Sequence, residues 1–462
     1  MTASEISLFA QILRPDQIVS KENVPERYQT DWTYENAVCP TCLLLPETTE
    51  EVSQILSVCH ENRQPVVIQG GVSGLTGAAT PQVGEISLSL ERMVGIEHID
   101  EIGLSMRVLA GTTLADIHRA LAGTQCIYGV DYGARDIAQI GGNAATNAGG
   151  TQVIRYGMTR AQVLGLEVVL ADGTIVNSMN TLLKNNAGFD LKQLFIGSEG
   201  TLGVITKLQL RLHPKPSSCC TALFAIDSYD NCLMLLKLCR GLFSEALTGF
   251  EVMWKAYFDD ACEASGSAPF ETDENDVLYA LVEVRGQSQE HDWTRFSELF
   301  RQCQQEGILK TGALAESKED ASTLWDIRFA IKQLLQKKAK MAHFDIGISP
   351  SEIQKFVTAV ENELTQLSPK ITIYAFGHIA DGNIHLLINT DQTKHIGHIE
   401  NMVYSLCDDF GGTISAEHGI GVLKKEALLR NRSTEEIELM RKLKRSLDPN
   451  NILNSGRVFD LD

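Results

Sequence analysis

Basic residues are in short supply: 40 Lys and Arg stand against 59 Asp and Glu, a formal charge of −19 over 462 residues. Nucleic acid and anionic membrane surfaces, both held through basic patches, are therefore excluded as expected partners. A locally positive site for an anionic substrate is not. Long apolar runs are missing as well, and none reaches the ~18 residues that cross a bilayer, so no transmembrane segment is expected. Met1-Thr2-Ala3-Ser4-Glu5-Ile6 has neither the basic nor the apolar region of a secretory leader, and the expectation is a cytoplasmic protein, soluble or peripheral. The 11 cysteines form no framework. Cys39-Pro40-Thr41-Cys42 has no second CxxC to accompany it, Cys219-Cys220 is only an adjacent pair, and no ferredoxin-type run occurs, which excludes a fused iron–sulfur domain. No G-x-G-x-x-G follows an expected strand, which disfavours a nicotinamide-linked dehydrogenase.

What remains is an ordinary globular composition, 44% hydrophobic and 21% charged, long enough for two domains or more. Residues 1 to about 45 read as a helical lead-in followed by a strand. Thr48 or Thr49 then caps an amphipathic helix carrying Val52, Ile55, Leu56 and Cys59, and the strand 65–69 completes a β-α-β start. Directly after it comes Gly70-Gly71-Val72-Ser73-Gly74-Leu75-Thr76-Gly77, a loop dense enough in backbone N–H groups to hold a pyrophosphate. It is no Walker sequence, because no Gly-Lys-Ser/Thr closes it. A second stretch, Gly133 to Gly150, has almost no bulky side chains and would let a large flat ligand lie against backbone. Residues 161–176 read as a hairpin turning at Ala171-Asp172-Gly173. Pro214-Lys215-Pro216 punctuates a domain exit.

From about 217 to 425 strands alternate with amphipathic helices. Arg328 falls on a helix and His343 on a strand that ends at Pro350. The segment 371–388 reads as a hairpin with Asp381-Gly382-Asn383 at its turn, bringing His378 and His385 to one end of two paired strands. With a carboxylate such as Glu417, two imidazoles suit a divalent transition metal that keeps a position open. Six glycines, at 377, 382, 411, 412, 419 and 421, hem in this region. Residues 423–447 form a basic helical stretch, read as a solvated face.

Gly377-His378-Ile379-Ala380-Asp381-Gly382-Asn383-Ile384-His385, then Ala416-Glu417-His418-Gly419 and Leu447-Asp448-Pro449-Asn450-Asn451-Ile452-Leu453-Asn454, resemble the C-terminal half of FAD-linked D-2-hydroxyacid dehydrogenases. That family includes D-lactate and D-2-hydroxyglutarate dehydrogenases and the glycolate oxidase flavin subunit, within the vanillyl-alcohol-oxidase superfamily. The resemblance covers nearly the whole chain and implies an α+β fold. A two-part PCMH-type FAD-binding domain is expected over 1–215, a mixed α/β substrate cap over 216–425 and a helical segment returning to the flavin over 426–462. It implies FAD contacts at Gly70, Gly71, Val72, Ser73, Gly74, Leu75, Gly133, Ala134, Ile140, Gly141, Gly142, Ala145, Thr146, Asn147, Gly150, Gly203, Val204, Ile205 and Asn454. FAD should be non-covalent, since 67–79 and 133–150 hold no His or Cys for attachment.

By the same resemblance His378, His385 and Glu417 hold Zn²⁺ or Mn²⁺, which chelates the α-hydroxyl and carboxylate of a small 2-hydroxyacid. Arg328 grips that carboxylate with its planar fork, His418 takes the hydroxyl proton, and flavin takes the hydride. Unaided, transfer from a hydroxyl of pKa ~15.7 to a His of ~6.5 is uphill by about 12 kcal/mol, and a bound cation removes most of that. Lys332, His343, Asn383 and Leu387 complete the expected substrate site. The hydroxyglutarate branch has Lys where His343 stands, Asn where Leu387 stands and a small hydroxyl residue where Lys332 stands. These departures weigh against a dicarboxylate, with Lys332 the cation able to compensate. The electron acceptor, whether quinone, electron-transfer flavoprotein or cytochrome, is left open, and a homodimer is compatible. The rival expectations are a metal-independent flavin oxidase and a flavin subunit of a larger dehydrogenase complex.

Overall fold

A computed structural model of the chain describes residues 8–33, 36–273, 276–331, 333–334, 341–390 and 395–461. Contacts divide the chain into two units: Met1–Gly150, Gly157–Lys215 and Glu417–Asp462 form the first, Thr151–Tyr156 and Pro216–Ala416 the second. In the first unit the Thr48 hydroxyl accepts the Glu51 amide while Glu51 reaches back, a capping box that starts the helix Thr49–Glu61. Its buried Val52, Ile55, Leu56 and Cys59 pack on the strands Cys42–Leu44, Val66–Gln69 and Ile86–Ser89. Strand Ile86–Ser89 runs parallel between the other two, and Ile18–Ser20 pairs antiparallel at the edge beyond Cys42–Leu44.

A five-stranded antiparallel sheet shares that core, in the order Ile96–Asp100, Ser105–Leu109, Val204–Arg211, Val163–Val169, Ile175–Ser178. The last two strands are the expected hairpin. The lead-in differs from expectation. Beyond a short helical piece at residues 8–9, the described part of 8–45 holds three one-turn 3₁₀ segments, Pro15–Gln17, Lys21–Asn23 and Glu26–Tyr28, and two short strands. Pro15 and Pro25 explain this, since neither can donate within a helix interior.

The second unit is one antiparallel seven-stranded sheet, ordered Thr311–Leu314, Cys220–Ile226, Leu278–Val284, Leu247–Trp254, Thr372–Gly377, Asn383–Asn389, Met341–Gly347. Helices cover both faces. Phe224 stacks on Phe296 of the helix Gln289–Gln305 on one side. On the other, Leu223, Met253, Tyr279, Leu281, Tyr374, Phe376 and Leu387 form a core with Tyr257 and Phe258 of Lys255–Ser265 and with Leu324 and Ile327 of Lys318–Arg328. No helix of the described residues is long and apolar enough to cross a membrane.

Candidate active site

Cross-strand register gathers the polar residues of the second unit onto one face. Met253 lies opposite Phe376, Phe376 opposite His385, and His385 opposite Asp345; Tyr374 faces Leu387, which faces His343. Directly paired residues share a face, as do residues two apart on one strand. Glu251, His385, Asp345, Leu387 and His343 therefore line one surface with the apolar core beside them.

Glu251 is the centre of this surface. Its Oε2 accepts Nε–H of Arg328 at 2.7 Å and its Oε1 the ring Nδ1 of His378 at 2.5 Å, all three being buried. Burial alone would raise the carboxyl, but His378 and Arg328 hold it down at about 2. A helix begun by the Ser317–Asp320 capping box delivers Arg328 at its last residue, where a cation also suits the helix dipole. Arg328 stacks over the Phe376 ring at 4.7 Å, and the bond from its Nε to Glu251 orients the guanidinium plane.

His378 follows the strand Thr372–Gly377 and opens a 3₁₀ turn, Ile379–Asp381, that ends on Gly382. The His385 ring lies edge-on to it with centroids 5.4 Å apart. Asp345 Oδ1 stands 3.6 Å from His385 Nδ1 and accepts Asn383 Nδ2–H at 2.8 Å. Asn383 Oδ1 is buried with no hydrogen-bond partner among the described residues. The Glu251 carboxylate behind His378 fixes its tautomer and raises its basicity, the arrangement that metal-ligating histidines use, while Asp345 adds a negative charge beside His385 at a separation longer than a hydrogen bond. This donor set fits a divalent cation.

In the first unit Gly70, Gly71, Val72, Ser73, Gly74 and Leu75 leave the strand Val66–Gln69 as expected. Gly71 is obligatory, since a Cβ there would lie 1.8 Å from the Ile137 carbonyl. Gly133 and Ala134 precede the short helix Ile140–Thr146, which carries Gly141, Gly142 and Ala145; Asn147 caps it in the left-handed region, and Gly150 follows. Gly70 and Gly142 are neighbours across the two stretches. Gln139 Oε1 and Asn143 Nδ2 are buried here without partners among the described residues, so the wall carries an acceptor and a donor awaiting a polar ligand. A flavin nucleotide fits these orphaned groups.

Gly203 leads into the strand Val204–Arg211, with Val204 and Ile205 at its start. Asn454 is committed at both ends of its amide: Oδ1 accepts Ile68 N–H at 2.8 Å and Nδ2 donates to the Glu199 carbonyl at 2.6 Å. It tethers the returning tail to the strand before the glycine loop. Glu417 and His418 open the returning segment, and Glu417 Oε1 accepts Gly150 N–H at 2.8 Å. Tyr132, whose hydroxyl donates to Asn143, is raised above its usual range by burial and by the nearby Glu417 and Asp131.

Lys332 lies outside the described residues. His343 is exposed, whereas Leu387 is a core residue. The reading of 423–447 as a solvated face needs correction at Lys444. It is buried, and its ammonium donates to the carbonyls of Thr201 and Leu453 and to Asp448. Sequence reasoning passed over Glu251, Asp345, Gln139, Asn143 and Tyr132. The available signal for Glu251 was a lone carboxylate inside Leu247–Trp254, a strand buried along its whole length.

Residues 40–178 match the FAD binding domain family and residues 215–458 the family of FAD linked oxidases, C-terminal domain. The chain is 34% identical over 461 residues to a mitochondrial D-2-hydroxyglutarate dehydrogenase of Arabidopsis thaliana, covering 99% of this chain and 82% of that protein. It is 33% identical over 466 residues to a D-2-hydroxyglutarate–pyruvate transhydrogenase of Saccharomyces cerevisiae, covering 98% and 94%. The plant protein's compartment differs from the cytoplasm expected here. A crystal structure of p-cresol methylhydroxylase with substrate bound superposes with a TM-score of 0.79 over 100% of this chain and 98% of that one, at 17% identity, and so shares the fold. The chain thus belongs to the FAD-linked oxidase family, an FAD-dependent oxidoreductase related to the D-2-hydroxyacid dehydrogenases.

Proposed function

We propose that the chain oxidises a D-2-hydroxyacid to the 2-oxoacid. The observation that carries this reading is the buried set Arg328–Glu251–His378 with His385 beside it, on one face of the seven-stranded sheet. Arg328 binds the substrate carboxylate through its terminal nitrogens while Glu251 keeps the fork in place. FAD, when bound, supplies the acceptor for the hydride leaving Cα. A divalent cation, when bound by His378, His385 and Glu417, lowers the pKa of the substrate hydroxyl. His418 then receives the hydroxyl proton on its imidazole.

Support for Glu417 and His418 in this role comes from the chain itself. Ala416, the residue before them, donates its N–H to the Asp345 carbonyl at 3.3 Å, and Asp345 is the strand partner of His385. His343, exposed on the strand Met341–Gly347, offers an imidazole to the substrate. D-lactate and D-2-hydroxyglutarate are the two acids to compare, the second being named for both relatives above.

Anaerobic bleaching of the bound flavin by D- and L-2-hydroxyacids, before and after EDTA, tests the reading. A D-acid should bleach the flavin, EDTA should abolish this, and Zn²⁺ or Mn²⁺ should restore it. Bleaching indifferent to EDTA would remove the metal and favour a plain flavin oxidase; no bleaching by any acid would favour a flavin subunit of a larger complex.

A further inference from the structure

The turn that follows His418 is held by a side chain not yet described. Glu199 sits just after the helix Lys192–Phe195 and is buried. Its Oε1 accepts Ile420 N–H at 2.7 Å and its Oε2 accepts Gly421 N–H at 2.8 Å. The Glu199 backbone is left-handed, φ +51°, a conformation non-glycine residues adopt only when the surroundings impose it. Gly419 lies against the carboxylate at φ +83°, and a Cβ there would come within 2.8 Å of Oε1.

A neutral acceptor could close a loop. Burial works against the Glu199 carboxylate and raises it, the two backbone amides countering part of that, and the pair of bonds closes the turn on one side chain. Other bonds of the first unit reinforce it: the Thr76 carbonyl accepts Val422 N–H at 2.9 Å, and the Gly421 carbonyl accepts Val458 N–H at 2.8 Å. Glu417 is fixed independently by Gly150. The two residues proposed as ligand and base therefore stand between clamps. Adjacent side chains on an extended backbone point to opposite sides, so Glu417 and His418 can serve one substrate only if the chain bends where they stand.

We propose that Glu199 is a positioning residue, which aims the His418 imidazole by locking the Gly419–Gly421 turn. This rests on the reading of His418 as the base. In Glu199→Gln an amide replaces one oxygen, so an N–H group faces a backbone N–H. With FAD-loaded protein and D-2-hydroxyglutarate or D-lactate as probe, the flavin-to-protein ratio should be unchanged and the half-saturating acid concentration should stay within about 3-fold. The saturating rate of flavin reduction should fall roughly 10- to 100-fold, and amide exchange at Ile420 and Gly421 should accelerate about 10-fold. A wild-type saturating rate in E199Q would overturn the proposal, as would a loss confined to FAD content. His418→Gln separates the two readings: a wild-type rate there removes the base itself, whereas a slow H418Q beside a normal E199Q removes only the positioning. If E199Q does not fold, Gly419→Ala, which pushes on the same carboxylate, is read by the same measurements.

Discussion

Glu251 joins the two residues on which substrate binding is proposed to depend, and its chemistry gives a test at the level of one side chain. Its carboxyl is held at about 2 against an ordinary value of 4.5. A depressed carboxyl stabilises the fold above the unfolded value and loses that contribution as pH falls through the folded one. The window is thus about pH 4.5 down to 2, and the contribution is on the order of 3 kcal/mol at about 1.36 kcal/mol per unit. Glu251→Gln should flatten the fall in melting temperature across that window and weaken flavin reduction at neutral pH, both measured on the same preparations. An acid limb as steep as in the parent would sink this account. Of the residues gathered here, His378 and His385 stand in one local motif, and Arg328 was singled out only through the family resemblance. Glu251 was not legible, since its partners are 77 and 127 residues away and nothing within Leu247–Trp254 announces them.

At the scale of elements, the hairpins and the capped helices were legible because turn chemistry and capping act within a few residues. Thr48 with Glu51, and Asp381-Gly382-Asn383 between two strands, are such cases. The helix Thr434–Leu447 was legible as a helix and misread as a surface, because Lys444 finds its acceptors at Thr201 and Leu453 only after folding. Lys444→Met leaves Asp448 buried without its cation and should lower stability by about 3 to 5 kcal/mol in denaturant titration. An unchanged midpoint would mean that Asp448 is satisfied by the backbone amides of Ile452 and Leu453 alone. The glycine loop offers a sharper case. Gly71→Ala puts a methyl into the Ile137 carbonyl, and the flavin-to-protein ratio after gel filtration should drop at least about 10-fold. Retention of full flavin would show that the loop yields without cost.

For the molecule as a whole, the sequence suggested an exit near Pro214 and a C-terminal return over 426–462, but nothing in it marked the exchange at 151–156. Residues 151–156 leave the first unit for the second, and the chain returns at Glu417. Such exchanges depend on long-range pairing that no window of sequence records. The same interleaving limits what can be removed: Arg457 is buried, paired through both terminal nitrogens with Glu85 and bonded to the Thr80 carbonyl.

That pairing has a consequence for synthesis. Glu85 leaves the ribosome 372 residues before its partner, and Val66 likewise waits for Ile452 and Asn454 to flank it. The pieces of the FAD-binding unit flank residues 216–416 in sequence, and those residues have all their own strands in hand before the last piece is made. A nascent chain arrested before residue 450 should therefore carry a protease-resistant second unit and an open nucleotide cradle, so that flavin capture waits for residues 452–457.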